Sequence, residues 1–285
     1  TGKGEKKKKK QLQRSELESK NGKDITDLYK LNVQPVKQNN KLKLQIKELN
    51  NDHSYFDRFR LFAIDHPAGT EISVTENNDI VTFIPNGVVS SDWAMLNQTD
   101  VTPLIQYSPN SAGIESYKDD ILNMRFLNHT NKGYGLNKIL GTTGAIADSE
   151  GLLFQIEICE NCGGGGKEAM AAIINDGNST ANNKSFARRE KNSVIAVPIN
   201  KNISSDSLKV NWIRNSSVKY AALTRFYYGG YEKKELRLLE AVHSVNGNVL
   251  QLLKYADKNY AELDSAGTIT LSFSDGGSIK SGWVR

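Results

Sequence analysis

The feature that most constrains this chain is a period of two in its apolar residues. Leu42, Leu44 and Ile46 alternate with Lys43, Gln45 and Lys47, so an extended chain puts the leucines and isoleucine on one face and the polar residues on the other. The same rhythm returns at 208–213, where Leu208, Val210 and Trp212 share one face and Lys209 and Asn211 the other. Further strands are expected at 59–64, 121–127, 152–159, 194–199, 223–228 and 269–273. The run Phe59 to Ile64 is nearly continuous in apolar residues, the pattern of a strand covered on both sides. Ile72 and Val74, then 80–84, flank Asn77-Asn78, and asparagine tolerates the positive φ that a tight hairpin turn requires. Asn246-Gly247 is a second hairpin signal, placed to join the run ending at Val245 to a strand at 249–253.

Helical patterns are few. Residues 167–174 hold Ala169, Met170, Ala171 and Ala172, which are good helix formers, and 254–263 could coil into a short helix. Residues 233–242 carry Leu236, Leu239 and Val242 at helical spacing but lead into the Asn-Gly turn, so strand is the better reading there. Helices do not recur between strands, which argues against βαβ winding. The expected fold is mainly β, with two antiparallel sandwich-like domains at 25–145 and 146–285. The division is placed in the glycine-containing loop between Asn131 and Gly151. Residues 1–24 form a basic, flexible tail or linker ahead of them.

That tail decides what the charge means. The chain carries 37 basic and 32 acidic residues, a net charge of +5. Residues 1–24 hold nine basic and four acidic side chains, the whole of the excess, and the remaining 28 basic and 28 acidic groups balance. The pI near 8.9 therefore describes a tail and points to no specific nucleic-acid interface. No apolar run approaches the roughly 18–20 residues of a transmembrane helix. The chain has no initiator Met and no signal-peptide pattern, and it stops at Trp283, Val284 and Arg285 just after a strand-like run. It is expected to be a fragment of a longer protein.

Most chemical motifs fail on their own spacing. Cys159 and Cys162 are the only cysteines. They are too few for a tetrahedral zinc site, and Gly163 stands where haem attachment needs histidine. A local disulfide outside the reducing cytosol is the expected state. Gly163 to Gly166 followed by Lys167 imitates a phosphate-binding loop, but Asn161 occupies its first glycine position and Glu168 its Ser/Thr position. Asn175, Asp176 and Asn178 supply oxygen atoms without the order of a calcium loop. Asp57, Asp65, His66 and Arg60 cluster in sequence, yet neighbouring strand residues face opposite ways, which separates Asp65 from His66. His53, His129 and His243 show no metal spacing. No catalytic residue, metal site or cofactor is expected. The aromatic residues are the candidate binding groups: Tyr227, Tyr228 and Tyr231 around Gly229-Gly230, with Trp93 elsewhere, where ring faces beside polar groups suit a glycan.

The segment from Ser54 to Thr70, and in particular Leu61-Phe62-Ala63-Ile64-Asp65-His66-Pro67-Ala68-Gly69-Thr70, resembles a strand and turn found in β modules of large secreted bacterial cell-surface proteins. The resemblance spans about thirty residues. It implies an extracellular or cell-surface, non-catalytic module acting in structure, assembly or adhesion. The partners it implies are other domains of the same chain or other surface proteins. A carbohydrate-binding module is the alternative, and a secreted hydrolase using Asp57 or Asp65 a more distant one.

Overall fold

A computed structural model of the chain describes residues 26, 28–31, 35–48, 53–127, 148–157, 170–175, 184–188, 193–200, 207–257, 259–277 and 283–284. The strands, in chain order, begin with β1 (Val36–Gln38), β2 (Lys41–Lys47), β3 (Ser54–Phe56), β4 (Leu61–Pro67), β5 (Glu71–Thr75), β6 (Ile80–Phe83), β7 (Val89–Ser90) and β8 (Trp93–Leu96). They continue with β9 (Thr99–Asp100), β10 (Ile114–Ser116), β11 (Ile121–Arg125), β12 (Asp148–Glu157), β13 (Met170–Asn175), β14 (Lys184–Arg188), β15 (Ser193–Asn200) and β16 (Ser207–Trp212). The last are β17 (Ser216–Tyr227), β18 (Glu232–Leu236), β19 (Leu238–His243), β20 (Gly247–Asn248), β21 (Ala261–Leu263), β22 (Thr268–Ser274) and β23 (Trp283–Val284). The fold is mainly β, as the alternation requires, and its strand pairings are antiparallel except between β15 and β5.

The two ends of the described chain build one unit together. β2 pairs with β22 over seven positions, from Lys41↔Ser274 to Lys47↔Thr268. β3 pairs with β21, and β4 lies between β18 and β23. Leu42, Leu44 and Ile46 of β2 accordingly pack on a core made mostly from the C-terminal part, including Leu236, Leu263, Leu271 and Phe273. β18 and β19 are separated only by Arg237. Its backbone N–H donates to Ser274 Oγ at 3.0 Å and its carbonyl accepts from Ser274 N–H at 2.9 Å. One bent run thus joins the sheet containing β4 to the sheet containing β22.

The middle of the chain forms a seven-stranded sheet, β10-β17-β12-β15-β5-β6 with β7 on β17, and a six-stranded sheet, β14-β13-β16-β11-β8-β9. Leu152 and Phe154 of β12 join Ala94, Leu122, Val210 and Trp212 of the six-stranded sheet in one buried cluster. Leu153 points to the opposite side, into a second cluster with Val81, Phe83, Ala196 and Phe226. β12 is therefore covered on both faces, and this is why its sequence reads Leu-Leu-Phe without polar alternation. Gly151 opens that run at a register shift against β15. A Cβ there would stand 2.2 Å from the carbonyl oxygen of Val197, so the two strands approach at a distance only glycine permits.

Several expectations need correction. Strand pairing runs across 145/146: β10 pairs with β17, β11 with β16 and β5 with β15, and residues before 68 share a core with those after 231. Sheets are joined by cross-strand bonds indifferent to chain distance. The mainly β architecture also includes a five-strand barrel. Residues 170–175 form a strand rather than a helix, because β16 and β14 flank that segment on both sides and the ladder outweighs local propensity. The segment 250–252 is a 3-10 turn, not a strand, although the Asn246-Gly247 turn is in place with Val242↔Asn248 and His243↔Gly247. The stretch 254–263 ends in β21 with no helix. The loop 131–147, Cys159, Cys162, the glycine run and residues 176–180 lie outside the described residues.

Candidate functional site

The β5–β6 hairpin turns at Asn78, whose φ of 65° is the positive value anticipated. Its side chain takes on a second task. Asn78 Oδ1 accepts the N–H of Leu28 at 2.9 Å, and Nδ2 donates to the carbonyl of Thr26 at 3.1 Å. The amide imitates a strand edge and holds the incoming segment over the hairpin. Further along, Lys30 Nζ donates to the Ile72 carbonyl at 2.9 Å and lies 3.9 Å from Glu71. Burial lowers the Lys30 pKa, which Glu71 partly opposes.

Asp65 and His66 are both buried at the end of β4. His66 Nδ1 lies 3.1 Å from Thr70 Oγ1 and 3.3 Å from the Pro67 carbonyl. Thr70 Oγ1 itself donates to the Pro67 carbonyl at 2.7 Å. Gly69 makes the turn between them at φ 85°, a conformation that a Cβ disfavours. Burial pushes the His66 pKa down; the Pro67 carbonyl opposes the shift, Lys30 adds to it, and Glu71 and Asp65 oppose it. The imidazole thus serves to close the strand-to-turn corner. Asp57 is half-buried after β3, on another segment. Among the described residues, no three His, Cys, Asp or Glu side chains gather as a metal cage.

The aromatic candidates separate into three environments. Tyr227 ends β17 with 5% of its surface exposed and lies in the core, so its ring face is not offered to a ligand. Tyr228 is the next residue, 39% exposed, and Tyr231 is half-buried beyond the Gly229-Gly230 turn. Burial raises both phenol pKa values, and Asp79 raises both further. The structure therefore brings Tyr228 and Tyr231 together beside the β5–β6 turn and its carboxylate.

Trp93 stands apart, 45% exposed at the start of β8 in the six-stranded sheet. It is paired directly with Arg125 of β11, which is paired with Ser207 of β16. The next outward row runs Met95, Asn123, Lys209, and Asn211 follows on β16. The alternate residues Ala94, Leu122, Met124, Leu208 and Val210 are all buried, so the sheet has one apolar face and one face carrying a tryptophan, a methionine, two cations, two amides and, paired with Met95 on β9, the carboxylate of Asp100. Two carboxylates near its margin are engaged. Asp92 Oδ2 accepts Leu127 N–H at 2.7 Å. Asp100 Oδ1 accepts Thr102 Oγ1 at 2.6 Å and Thr102 N–H at 2.9 Å, which holds its carboxyl below the usual range.

Sequence reasoning named Trp93 as a candidate binding group and Lys209 only as an outward strand residue, and did not name Arg125. Their outward position was legible from strand alternation; their adjacency was not, because it depends on the register of three strands. No family model matches the chain, and no curated protein or solved structure matches it.

Proposed function

We propose that this chain is a non-catalytic binding module of a secreted bacterial surface protein, acting in adhesion or in assembly with other surface components. One observation carries the reading: the outward face of the six-stranded sheet displays Trp93 at 45% exposure, and Ile213, 41% exposed, directly follows Trp212 at the end of β16. Large apolar side chains held outward on a rigid sheet mark an interaction surface. The two middle sheets sharing one apolar cluster support a sandwich-like arrangement for that part of the chain. The extracellular setting rests on the resemblance of the Leu61–Thr70 segment.

Carbohydrate binding is the second reading. It is favoured by the placement of Tyr228 and Tyr231 beside Asp79 and of Trp93 beside Arg125, since sugars offer an apolar ring face and hydroxyls together.

The test is retention of the labelled chain on bacterial cell-envelope preparations. Weaker retention of Trp93→Ala, with an unchanged melting curve, supports the reading. Equal retention of Trp93→Ala and of Tyr228→Ala/Tyr231→Ala would remove it. Turnover of a glycoside or peptide substrate that disappears in Asp65→Asn, with folding intact, would replace it with a hydrolase.

A further inference from the structure

We propose that the segment carrying Leu28 and Lys30 is an acid-released strap: a proton on His66 drives Lys30 off its anchor on β5 and frees the segment from the β5–β6 hairpin. This conformational device goes beyond the binding reading above and is independent of what the module binds.

The strap is held at its two ends by anchors of different chemistry. At one end the Asn78 amide accepts the Leu28 N–H at 2.9 Å and donates to the Thr26 carbonyl at 3.1 Å. These bonds join neutral groups, so acid leaves them unchanged. At the other end Lys30 Nζ donates to the Ile72 carbonyl at 2.9 Å, with Glu71 Oε2 3.9 Å away. Among the described residues from Thr26 to Leu31, Leu28 and Lys30 are half-buried and the others exposed. Little apolar area therefore holds the segment down, and chain entropy favours its release.

Behind the ionic anchor lies a buried imidazole. His66 Nδ1 is 3.1 Å from Thr70 Oγ1, and Thr70 directly precedes Glu71. The ionisable groups that act on His66 are Lys30 on the strap, Glu71 on β5 and Asp65 on its own strand. β18 sets Glu232 opposite Asp65, and β23 sets Val284 opposite His66. The phenols of Tyr107 and Tyr220 also feel Glu71; both are raised above the ordinary 10 and stay neutral in acid. Neutral His66 leaves Glu71 to Lys30. A proton on His66 makes a second cation, which repels Lys30 and competes for the same carboxylate. Burial first, and Lys30 in addition, hold the His66 pKa below the ordinary 6.5. By linkage a charged His66 loosens Lys30 to the same degree. Support for the docked strap is thus complete above pH 6.5 and is lost as pH falls through that value toward the lower folded pKa.

The experiment is nuclear magnetic resonance on the full chain, reading the Leu28 amide by hydrogen exchange, corrected for intrinsic rates, and the His66 imidazole by its ring shifts. The expected result is a fall in Leu28 protection of about three- to fivefold from pH 7.5 to pH 5, the scale of one partly exposed ion pair lost. Asn78→Ala leaves that amide unprotected at both pH values and supplies the released baseline. His66→Gln keeps the neutral-pH protection down to pH 5. In Lys30→Met the protection is lower at pH 7.5 and no longer falls with acid, and the His66 ring titrates at a higher pH than in the unaltered chain. If His66→Gln does not fold, Lys30→Met carries the test, since its side chain lies at the edge of the hairpin.

Leu28 protection equal at pH 7.5 and pH 5 in the unaltered chain overturns the proposal. So does an acid-induced fall of the same size in Lys30→Met, and so does a His66 titration that stays in place when Lys30 is replaced. A fall at Leu28 matched at ladder amides of β12 such as Leu153 reports unfolding of the whole chain rather than release of the strap, and overturns it as well.

Discussion

Phe154 and Trp212 meet edge to face across two different sheets, with ring centroids 6.4 Å apart and an interplanar angle of 68°. Phe154 lies on β12 of the seven-stranded sheet and Trp212 ends β16 of the six-stranded one. Both are essentially inaccessible to solvent. Their contact fastens together the layers that carry the Trp93 face.

Phe154→Ala is expected to cost about 3–5 kcal/mol, as large truncations in a close-packed core do. Trp212→Phe should cost clearly less. The Trp212 indole N–H is buried without a hydrogen-bond partner among the described residues, and phenylalanine discards that penalty while keeping an aromatic edge. Urea unfolding of the two variants checks the order; a Trp212→Phe loss equal to that of Phe154→Ala would contradict it.

Gly151→Ala is expected to destabilise by more than about 2 kcal/mol. The added methyl would meet the Val197 carbonyl oxygen at 2.2 Å and Pro198 Cα at 2.7 Å. Both are backbone atoms of β15, so no side-chain rotation relieves the clash. Gly69→Ala supplies a comparison: open space surrounds its Cβ position, and the cost is that of φ 85° alone, about 1 kcal/mol. Thermal melts of both variants would show the larger loss at Gly151.

His243 fastens the turn after β19. Its Nδ1 accepts the N–H groups of Val245 at 3.0 Å and Asn246 at 3.1 Å, which places the ring proton on Nε2. His243→Ala removes both bonds and should speed amide exchange at Val245 and Asn246 by about tenfold or more. Gly267→Ala would press on the same ring, with 2.7 Å to Nε2, and should disturb the same amides. Unchanged exchange in both variants would show that the turn holds without the ring.

The pH dependence of stability should carry the signature of His66. Its folded-state pKa lies below the ordinary 6.5, chiefly through burial. The unfolded chain therefore binds the proton more readily than the folded one. This contribution is fully present above pH 6.5 and is lost as pH falls through that value toward the lower folded pKa. His66→Gln should flatten stability between pH 7 and pH 5 relative to the unaltered chain. Equal slopes from denaturant melts across that interval would show that the imidazole titrates alike in both states.

Local pattern carried much of the secondary structure. The alternation at Leu42–Lys47 and at Leu208–Trp212 gave strands with the expected sides inward, and Asn78 and Gly247 adopt the positive φ their turns require. The Asn39-Asn40 turn, at φ 51° and 56°, carries the same signal in its two asparagines. Residues 170–175 misled because alanine and methionine favour a helix locally, whereas two flanking strands offered a full ladder.

What the amino-acid order determined by itself was the period of two, the turn positions and the placing of all excess charge in the first 24 residues, since each is a property of near neighbours. Tertiary structure alone decided that residues before 68 share a core with those after 231, that Tyr227 is buried while Tyr228 is not, and that Trp93 stands opposite Arg125. These depend on strand register and order. Hydrogen bonds between strands are chemically alike at every position, so only the simultaneous burial of all the apolar faces selects among the possible pairings.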